Sequence, residues 1–271
     1  MSDELTQLLE LERLDRDLYR GVNVGHANGR GHLYGGQVAA QALRAAAHTV
    51  PAGRMPHSLH GYFLRPGRND ISTLFRVDND RDGGSVSARR VVAIQDGDVI
   101  FSLSASFQEV EEGPDFQAAS SEGVGSPDDL PDRPINPSGP IGMFETRIVV
   151  GRLGAHGHEI PEVYWARARS PLPDDPVLHA CILTYLSDMG TGLVNVLVES
   201  GLAGPSIDHA TWFHRHIRLD EWVLFTMKPI SASHNRGLYW GSLQSQDGTL
   251  GATMIQESLF RPLRRESPPP G

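Results

Sequence analysis

Leucines at 8, 9, 11, 14 and 18 recur at helical spacing, with acids and arginines between them. The pattern predicts an amphipathic helix over residues 4–20, stopped by Gly21. GHLYGGQVAAQALRAAAHTV follows, rich in the strong helix formers Ala, Leu and Gln, and predicts a helix opening at Gly35 and Gly36. From 57 to 109 the pattern turns to alternation and β-branched runs, broken by Asp82-Gly83-Gly84 and by Asp96-Gly97, the second reading as a hairpin turn. Residues 111–142 lose periodicity and fill with Pro, Gly, Ser and Asp, which predicts a linker crossing a surface. Strands resume at FETRIVV and EVYWARARS. PLPDDPVLHACILTYLSDMG then leads into another helix, with Asp174, Asp175 and Pro176 suited to the turn and the first helical positions. The stretch 207–261 is again strand-like, and the Pro-rich tail from about 262 is expected to fray. A helix followed by an antiparallel sheet suggests an α+β architecture in which a sheet curls around a helix.

The same order of elements occurs twice. Gln95-Asp96-Gly97 recurs at Gln246-Asp247-Gly248, 151 positions on, and at that spacing, without gaps, Tyr34 falls at Tyr185, Tyr62 at Phe213 and Gln37 at Asp188. This predicts two copies of one module: 1–112, a linker over 113–142, and 143–271. The copies differ in their polar residues. Asp188, Ser206 and Gln256 fall opposite Gln37, Met55 and Ala105, so the second module alone carries a carboxylate, a hydroxyl and a carboxamide at these positions. Such a set can hold and aim one water, the carboxylate accepting its proton. The plainer reading is ordinary divergence between repeats. Gly35 and Gly36 read either as a turn or as a place where backbone N–H groups at a helix start approach a ligand.

Charge and cysteine content narrow the classes. A formal net charge of −9 argues against a general nucleic-acid binder. One cysteine, Cys181, excludes an intrachain disulfide and fits a reducing compartment. No signal-like start and no membrane-length apolar run is read from the sequence, so the cytoplasm is the expectation. His57, His60, His209, His214 and His216 lie on or near strands without HExxH or CxxC spacing, so no metal is expected. His57 is retained as a candidate contributor near the site. Ser206 lies in GLAGPSIDH and lacks a GxSxG elbow, so structural roles are expected for Asp208 and His209 rather than a covalent triad.

The segments YGGQVAAQAL, HSLHGYFLRPG, RDGGSVSARRVVAIQDGDVIFSLSASFQ, ARSPLPDDPVLHACILTYLSD, SIDHATWFHR and QDGTLGATMIQE together resemble the acyl-CoA thioesterase II, TesB-like family. The resemblance covers most of the chain outside the linker and both ends. It implies a double hotdog fold, two repeats of a long helix wrapped by an antiparallel sheet, and hydrolysis of acyl-CoA to a fatty acid and coenzyme A. The family's acid, hydroxyl and glutamine match Asp188, Ser206 and Gln256; Ser206 stands where the family often has Thr, losing a methyl that restricts the rotamer. No cofactor is implied, because a thioester is already an activated acyl group. Arg65, Arg68, Arg89, Arg90, Arg215, Arg236 and Arg261 are candidates for holding the phosphates of coenzyme A, although most arginines are simply solvated or paired with acids. Further association to a homodimer or homotetramer is implied. Two alternatives remain at this stage: an enoyl-CoA hydratase, for which Asp174 and His179 have a suitable spacing but not the surrounding pattern, and a non-catalytic acyl-CoA binder.

Overall fold

The structure is a computed structural model that describes residues 4–23, 31–118, 121, 123–135, 139–153, 159–189, 191–193 and 202–262. The elements, in order, are α1 (Glu4–Leu9), β1 (Glu12–Asp15), β2 (Leu18–Gly21), α2 (Gly35–Ala47), β3 (Arg54–Phe63), β4 (Thr73–Asp82), β5 (Val86–Gln95), β6 (Asp98–Glu109), β7 (Phe144–Leu153), β8 (Glu159–Ala168), α3 (Pro176–Ser187), β9 (Leu202–Ala203), β10 (Asp208–Phe213), β11 (Val223–Ser233), β12 (Arg236–Ser245), β13 (Leu250–Leu259) and β14 (Arg261–Pro262).

Twelve strands form one sheet in the order β1-β2-β4-β5-β6-β3-β10-β13-β12-β11-β8-β7. The order is a palindrome of two six-stranded halves, joined where β3 and β10 pair antiparallel, with Tyr62 opposite Asp208 and Ser58 opposite Trp212. A local pseudo-twofold axis at that junction therefore exchanges the halves. α2 lies against strands β2 to β6 and also packs on α3, so the two helices meet near the junction. Small residues make this possible: Ala39, Ala40, Ala42, Ala45 and Ala46 are fully buried on α2 and let its backbone approach both the sheet and α3. Strand β6 turns Phe101, Leu103, Ala105 and Phe107 inward by simple alternation. Burying a phenylalanine of this kind contributes roughly 2 kcal/mol. The tight turn between β5 and β6 places Asp96 and Gly97 at φ 49° and 83°, as the hairpin reading requires.

α3 is buried along most of its length: Cys181, Ile182, Leu183, Tyr185 and Leu186 are buried, and so are the polar His179, Thr184 and Ser187. Asp175 caps it, accepting the backbone N–H of Val177 at 3.0 Å and of Leu178 at 3.2 Å, and Pro176 takes the first helical position. Cys181 is a core residue, and burial pushes its thiol up to about 12, which leaves it unreactive.

The structure corrects three expectations. The helix over 4–20 is only α1, and the rest forms the β1–β2 hairpin, turning at Asp17 with φ 57°. Pairing of β2 with β4 extends the sheet, and that gain outweighs a helical pattern in which Leu14 would have faced the core; Leu14 is exposed. Gly21 lies within β2 and ends no helix. The repeat is also not gapless. The strands β10 to β13 begin 150 to 154 positions after β3 to β6, but α3 begins only 141 positions after α2. The difference lies in the connection from helix to strand, residues 48–53 in the first half and 188–207 in the second. Asp188, the C-cap of α3, therefore corresponds to His48, the C-cap of α2, and not to Gln37.

Gln117, Val124, Gly125 and Leu130 of the 111–142 stretch lie against the second half of the sheet. Gln117 bonds the backbone of Gly248 and Leu250, Trp165 Nε1 donates to the Gly125 carbonyl at 3.1 Å, and Val124 and Leu130 cover Trp165, Trp222 and Leu224. The tail beyond Pro262 lies outside the described residues. Among the described residues no helix is long and apolar enough to cross a membrane.

Candidate active site

The longer connection in the second half carries two of the candidate residues, one at each end. Asp188 follows the last residue of α3. Ser206 enters β10 and is held by an isolated bridge to Ser258, with Leu259 N–H donating to the Pro205 carbonyl at 3.0 Å and Ile207 N–H to the Glu257 carbonyl at 2.8 Å. Gln256 lies on β13, fully buried. These backbone pairings bring the three side chains to one point. Ser206 Oγ donates to Asp188 Oδ1 at 3.1 Å, and Gln256 Nε2 donates in close contact to both Asp188 Oδ1 and Ser206 Oγ.

The first half supplies the opposite wall. Gly35 and Gly36 open α2 directly against Asp188: a Cβ on Gly35 would stand 2.5 Å from Asp188 Oδ2, and one on Gly36 would collide with the Tyr185 carbonyl and the Tyr34 ring. The backbone N–H of Gly36 donates to the Asp188 carboxylate. Tyr34 OH donates to the Tyr185 carbonyl at 3.0 Å and ties the start of α2 to the last turn of α3. The site is thus shared between the halves, one helix start facing one helix end. Asp188 sits at the negative end of α3 but meets the positive end of α2. Burial pushes its carboxyl up to about 6, against the opposing hydrogen bonds from Gln256, Ser206 and Gly36.

The sequence left two buried neighbours of Gln256 without a place in the site. Tyr239 OH donates to Gln256 Oε1 in close contact, and His209 Nδ1 lies 3.3 Å from the same oxygen. His209 is fully buried, and burial pushes its imidazole down to about 4, so it is neutral at physiological pH. Gln256 Oε1 can only accept, so this contact assigns the proton to Nδ1, and Nε2 is left as acceptor towards the hydroxyls of Ser187 at 2.8 Å and Thr211 at 3.2 Å. Two donors on Oε1 fix the amide so that its NH2 group faces Asp188 and Ser206. The sequence signal was the buried polar pattern itself, since Gln256 and His209 both fall on inward-facing strand positions. Replacing His209 with Ala is expected to lower kcat about tenfold with little change in KM, the size of one lost buried hydrogen bond; an unchanged kcat would show that Tyr239 alone orients the amide.

The other candidates lie elsewhere. His57 bonds Ser106 Oγ at 2.7 Å and is not among the hydrogen-bond partners of Asp188, Ser206 or Gln256. Asp208 accepts from His60 at 3.0 Å and from the backbone N–H of Glu257 at 2.8 Å, so with His209 on Gln256 no Ser-His-Asp relay exists here. Asp174 pairs with Arg218 at 2.7 Å while His179 accepts the Leu219 N–H at 3.1 Å, so the two do not form a dyad.

Among the arginines, Arg89 is buried and its donors are spent on Thr49, Arg81, Ala88 and Asp82, which makes it a structural residue rather than a phosphate ligand. Arg65 bonds the Val99 carbonyl at 2.7 Å. Arg68 pairs with Asp70 and Asp96, Arg90 with Asp80 and Asp78, Arg215 with Asp115, and Arg236 with Glu257. Arg261 is exposed at the start of β14.

Known proteins resemble this chain over most of its length. A family model described as acyl-CoA thioesterase N-terminal domain matches residues 24–108, and one described as acyl-CoA thioesterase matches residues 144–259. Acyl-CoA thioesterase 2 of Haemophilus influenzae is 35% identical over 286 residues, covering 96% of this chain and 99% of that one. The crystal structure of acyl-CoA thioesterase II TesB2 from Mycobacterium marinum superposes with a TM-score of 0.81 at 39% identity, covering 96% and 98%. A hot dog fold protein of unknown function from Alicyclobacillus acidocaldarius, 20% identical, superposes with a TM-score of 0.82 over 97% of this chain and 100% of that one, which supports the fold alone. The fold and these likenesses define a thioester hydrolase of the hotdog class. Within that class the chain belongs to the acyl-CoA thioesterase II, TesB-like family.

Proposed function

We propose that this enzyme hydrolyses acyl-CoA by direct attack of a water that Asp188 activates and that Ser206 and Gln256 position. The observation that carries this reading is the contact of both Ser206 and Gln256 with one oxygen of a buried carboxylate. A base with its carboxyl near 6 is ionised at neutral pH yet basic enough to take a proton from water as the bond forms. The tetrahedral oxyanion would take the Gly36 N–H, which the carboxylate occupies in this state; one such donor is commonly worth about 3 kcal/mol in rate. Neutral His209 and Tyr239 keep Gln256 from turning its oxygen towards the carboxylate.

The finer reading of the fold is a double hotdog, with module boundaries at 1–112 and 143–271 and catalysis assigned to the second. The palindromic strand order and the packing of α2 against β2 to β6 support it. The outer strands β1 and β7 leave edges that further copies could cover, in keeping with a homodimer or homotetramer. A cytoplasmic setting is consistent with the single, buried cysteine.

The test is thiol release from a panel of acyl-CoAs of increasing chain length. Turnover on none of them, with binding retained, would leave a non-catalytic acyl-CoA binder. The pH profile supplies a second check. Only ionised Asp188 can act as base, so kcat should fall as pH drops through about 6 and level off above it. His209 stays neutral across that limb. A flat profile between pH 5 and 8 would remove Asp188 from the role.

A further inference from the structure

Gln256 serves the site only while its NH2 group, and not its oxygen, faces Asp188 and Ser206. An amide has two orientations of nearly the same shape, so the choice falls to the groups on its far side. Tyr239 OH, from β12, donates to the oxygen there, and His209 Nδ1 lies 3.3 Å from it. Burial keeps this imidazole neutral, so the ring carries one proton. With the proton on Nδ1, His209 donates to Gln256 and holds the oxygen away from the carboxylate. With the proton on Nε2, Nδ1 becomes an acceptor, and the amide satisfies it by turning its NH2 group to His209 and its oxygen to Asp188. The tautomer of His209 therefore weighs on the face that Gln256 presents.

Two hydroxyls meet Nε2, and they are not equivalent. Ser187 Oγ, on the last residue of α3, lies 2.8 Å away but also donates to the Thr184 carbonyl at 3.0 Å. With its single proton on that carbonyl, Ser187 can accept from an Nε2–H and tolerates the wrong tautomer. Thr211 Oγ1, fully buried on β10, lies 3.2 Å away, and among the described residues His209 Nε2 is its one hydrogen-bond partner. Were Nε2 protonated, the Thr211 hydroxyl would be a buried donor without an acceptor, which costs free energy. Thr211 thus closes Nε2 to the proton and leaves it on Nδ1. The titratable groups beside the ring are Asp208 on β10 and His60 on β3, which bond each other at 3.0 Å, while its partners from α3 and β13, Ser187 and Gln256, are neutral. Asp188 in turn meets Tyr34 at the start of α2, whose phenol burial pushes well above its usual range and keeps neutral.

We propose that Thr211 is a positioning residue: its hydroxyl fixes the tautomer of His209 and, through it, the face that Gln256 turns to Asp188. The kinetic consequence rests on the reading of Asp188 as the base; the tautomer does not. A donor on the carboxylate favours its ionised form, whereas an oxygen set against it favours the protonated form. Loss of the Thr211 hydroxyl should therefore move the acidic limb of kcat to higher pH.

The experiment has two arms, both on the full chain. In the first, the histidine rings are labelled with 15N and the tautomer of His209 is read at pH 8 from long-range 1H–15N couplings, its signals assigned by their loss in His209→Gln. Wild type should show Nδ1–H, the form that a free histidine side chain adopts less, and Thr211→Val, which keeps the shape but not the hydroxyl, should populate Nε2–H. In the second, thiol release is followed from pH 5 to 9. Thr211→Val should raise the limb by about half a pH unit or more and lower kcat at pH 7 about three- to tenfold, and Thr211→Ser, which restores the hydroxyl, should bring the limb back. Should Thr211→Val melt early, Thr211→Ala removes the same hydroxyl and should give the same result. Nε2–H in wild type, or an unchanged tautomer in the variants without the hydroxyl, would overturn the proposal. So would slower turnover with neither limb nor tautomer moved, which is what packing alone would give. If the tautomer changes as expected but wild type shows no limb near pH 6, the role of Thr211 stands and the reading of Asp188 as base fails.

Discussion

Asp188→Asn is expected to lower kcat for acyl-CoA hydrolysis at least about a hundredfold at neutral pH and, at the same time, to raise the melting temperature. The two effects share one cause. Burial raises the carboxyl from 3.8 to about 6, so the folded state holds its ionised form at a cost of roughly 3 kcal/mol. The sign follows from proton binding. Between pH 4 and 6 the folded chain keeps the proton that the unfolded chain releases, so stability falls as pH rises through that window and the full cost applies above it. An asparagine never ionises and escapes that cost, less the hydrogen bonds that an amide NH2 group cannot accept. Thermal melts of wild type and variant at pH 5 and pH 8, alongside thiol release, separate the possibilities. Unchanged turnover would remove Asp188 as the base. Lost turnover with a lower melting temperature at both pH values would make the carboxylate a structural anchor instead.

Gly35→Ala is expected to cost tens of fold in kcat and about 1 to 3 kcal/mol in stability, as overpacking of a tight site does. The added methyl would stand 2.5 Å from Asp188 Oδ2 and 2.9 Å from the Phe63 ring, so either the carboxylate or the start of α2 must move. The residue belongs to the first half, whereas all three proposed catalytic side chains belong to the second. Gly84→Ala is the control, because nothing lies within 4 Å of its added Cβ and its backbone does not need a glycine. If Gly35→Ala turned over acyl-CoA at the wild-type rate, α2 would not be a wall of the working site.

Much of the architecture was legible in the chain because it rests on local chemistry. Alternation in β5, β6, β12 and β13, the Asp-Gly turn after Gln95 and the Asp175-Pro176 helix start are each decided by neighbours in sequence. The β1–β2 hairpin was misread because residues 12–21 carry an apolar spacing that a helix could also use, and their choice depends on an open edge of β4 far along the chain. The repeat was visible in its strands, which keep their spacing, and misaligned in its helices, because the longer connection from α3 to β10 breaks the count.

The candidate site divides in the same way. The chain by itself marked Asp188, Ser206 and Gln256 as polar residues lacking counterparts in the other copy, and marked Gly35 and Gly36 as a place of close approach. That they meet was decided by tertiary structure: antiparallel pairing of β3 with β10 and packing of α2 on α3 set the start of one module's helix against the end of the other's. His209 and Tyr239 joined the site for the same reason, since contact with Gln256 depends on which strands lie side by side. The raised carboxyl of Asp188 likewise depends on burial, and burial is a property of the folded chain: residue type supplies the acid, but only the surrounding packing removes the water that would keep it an ordinary one.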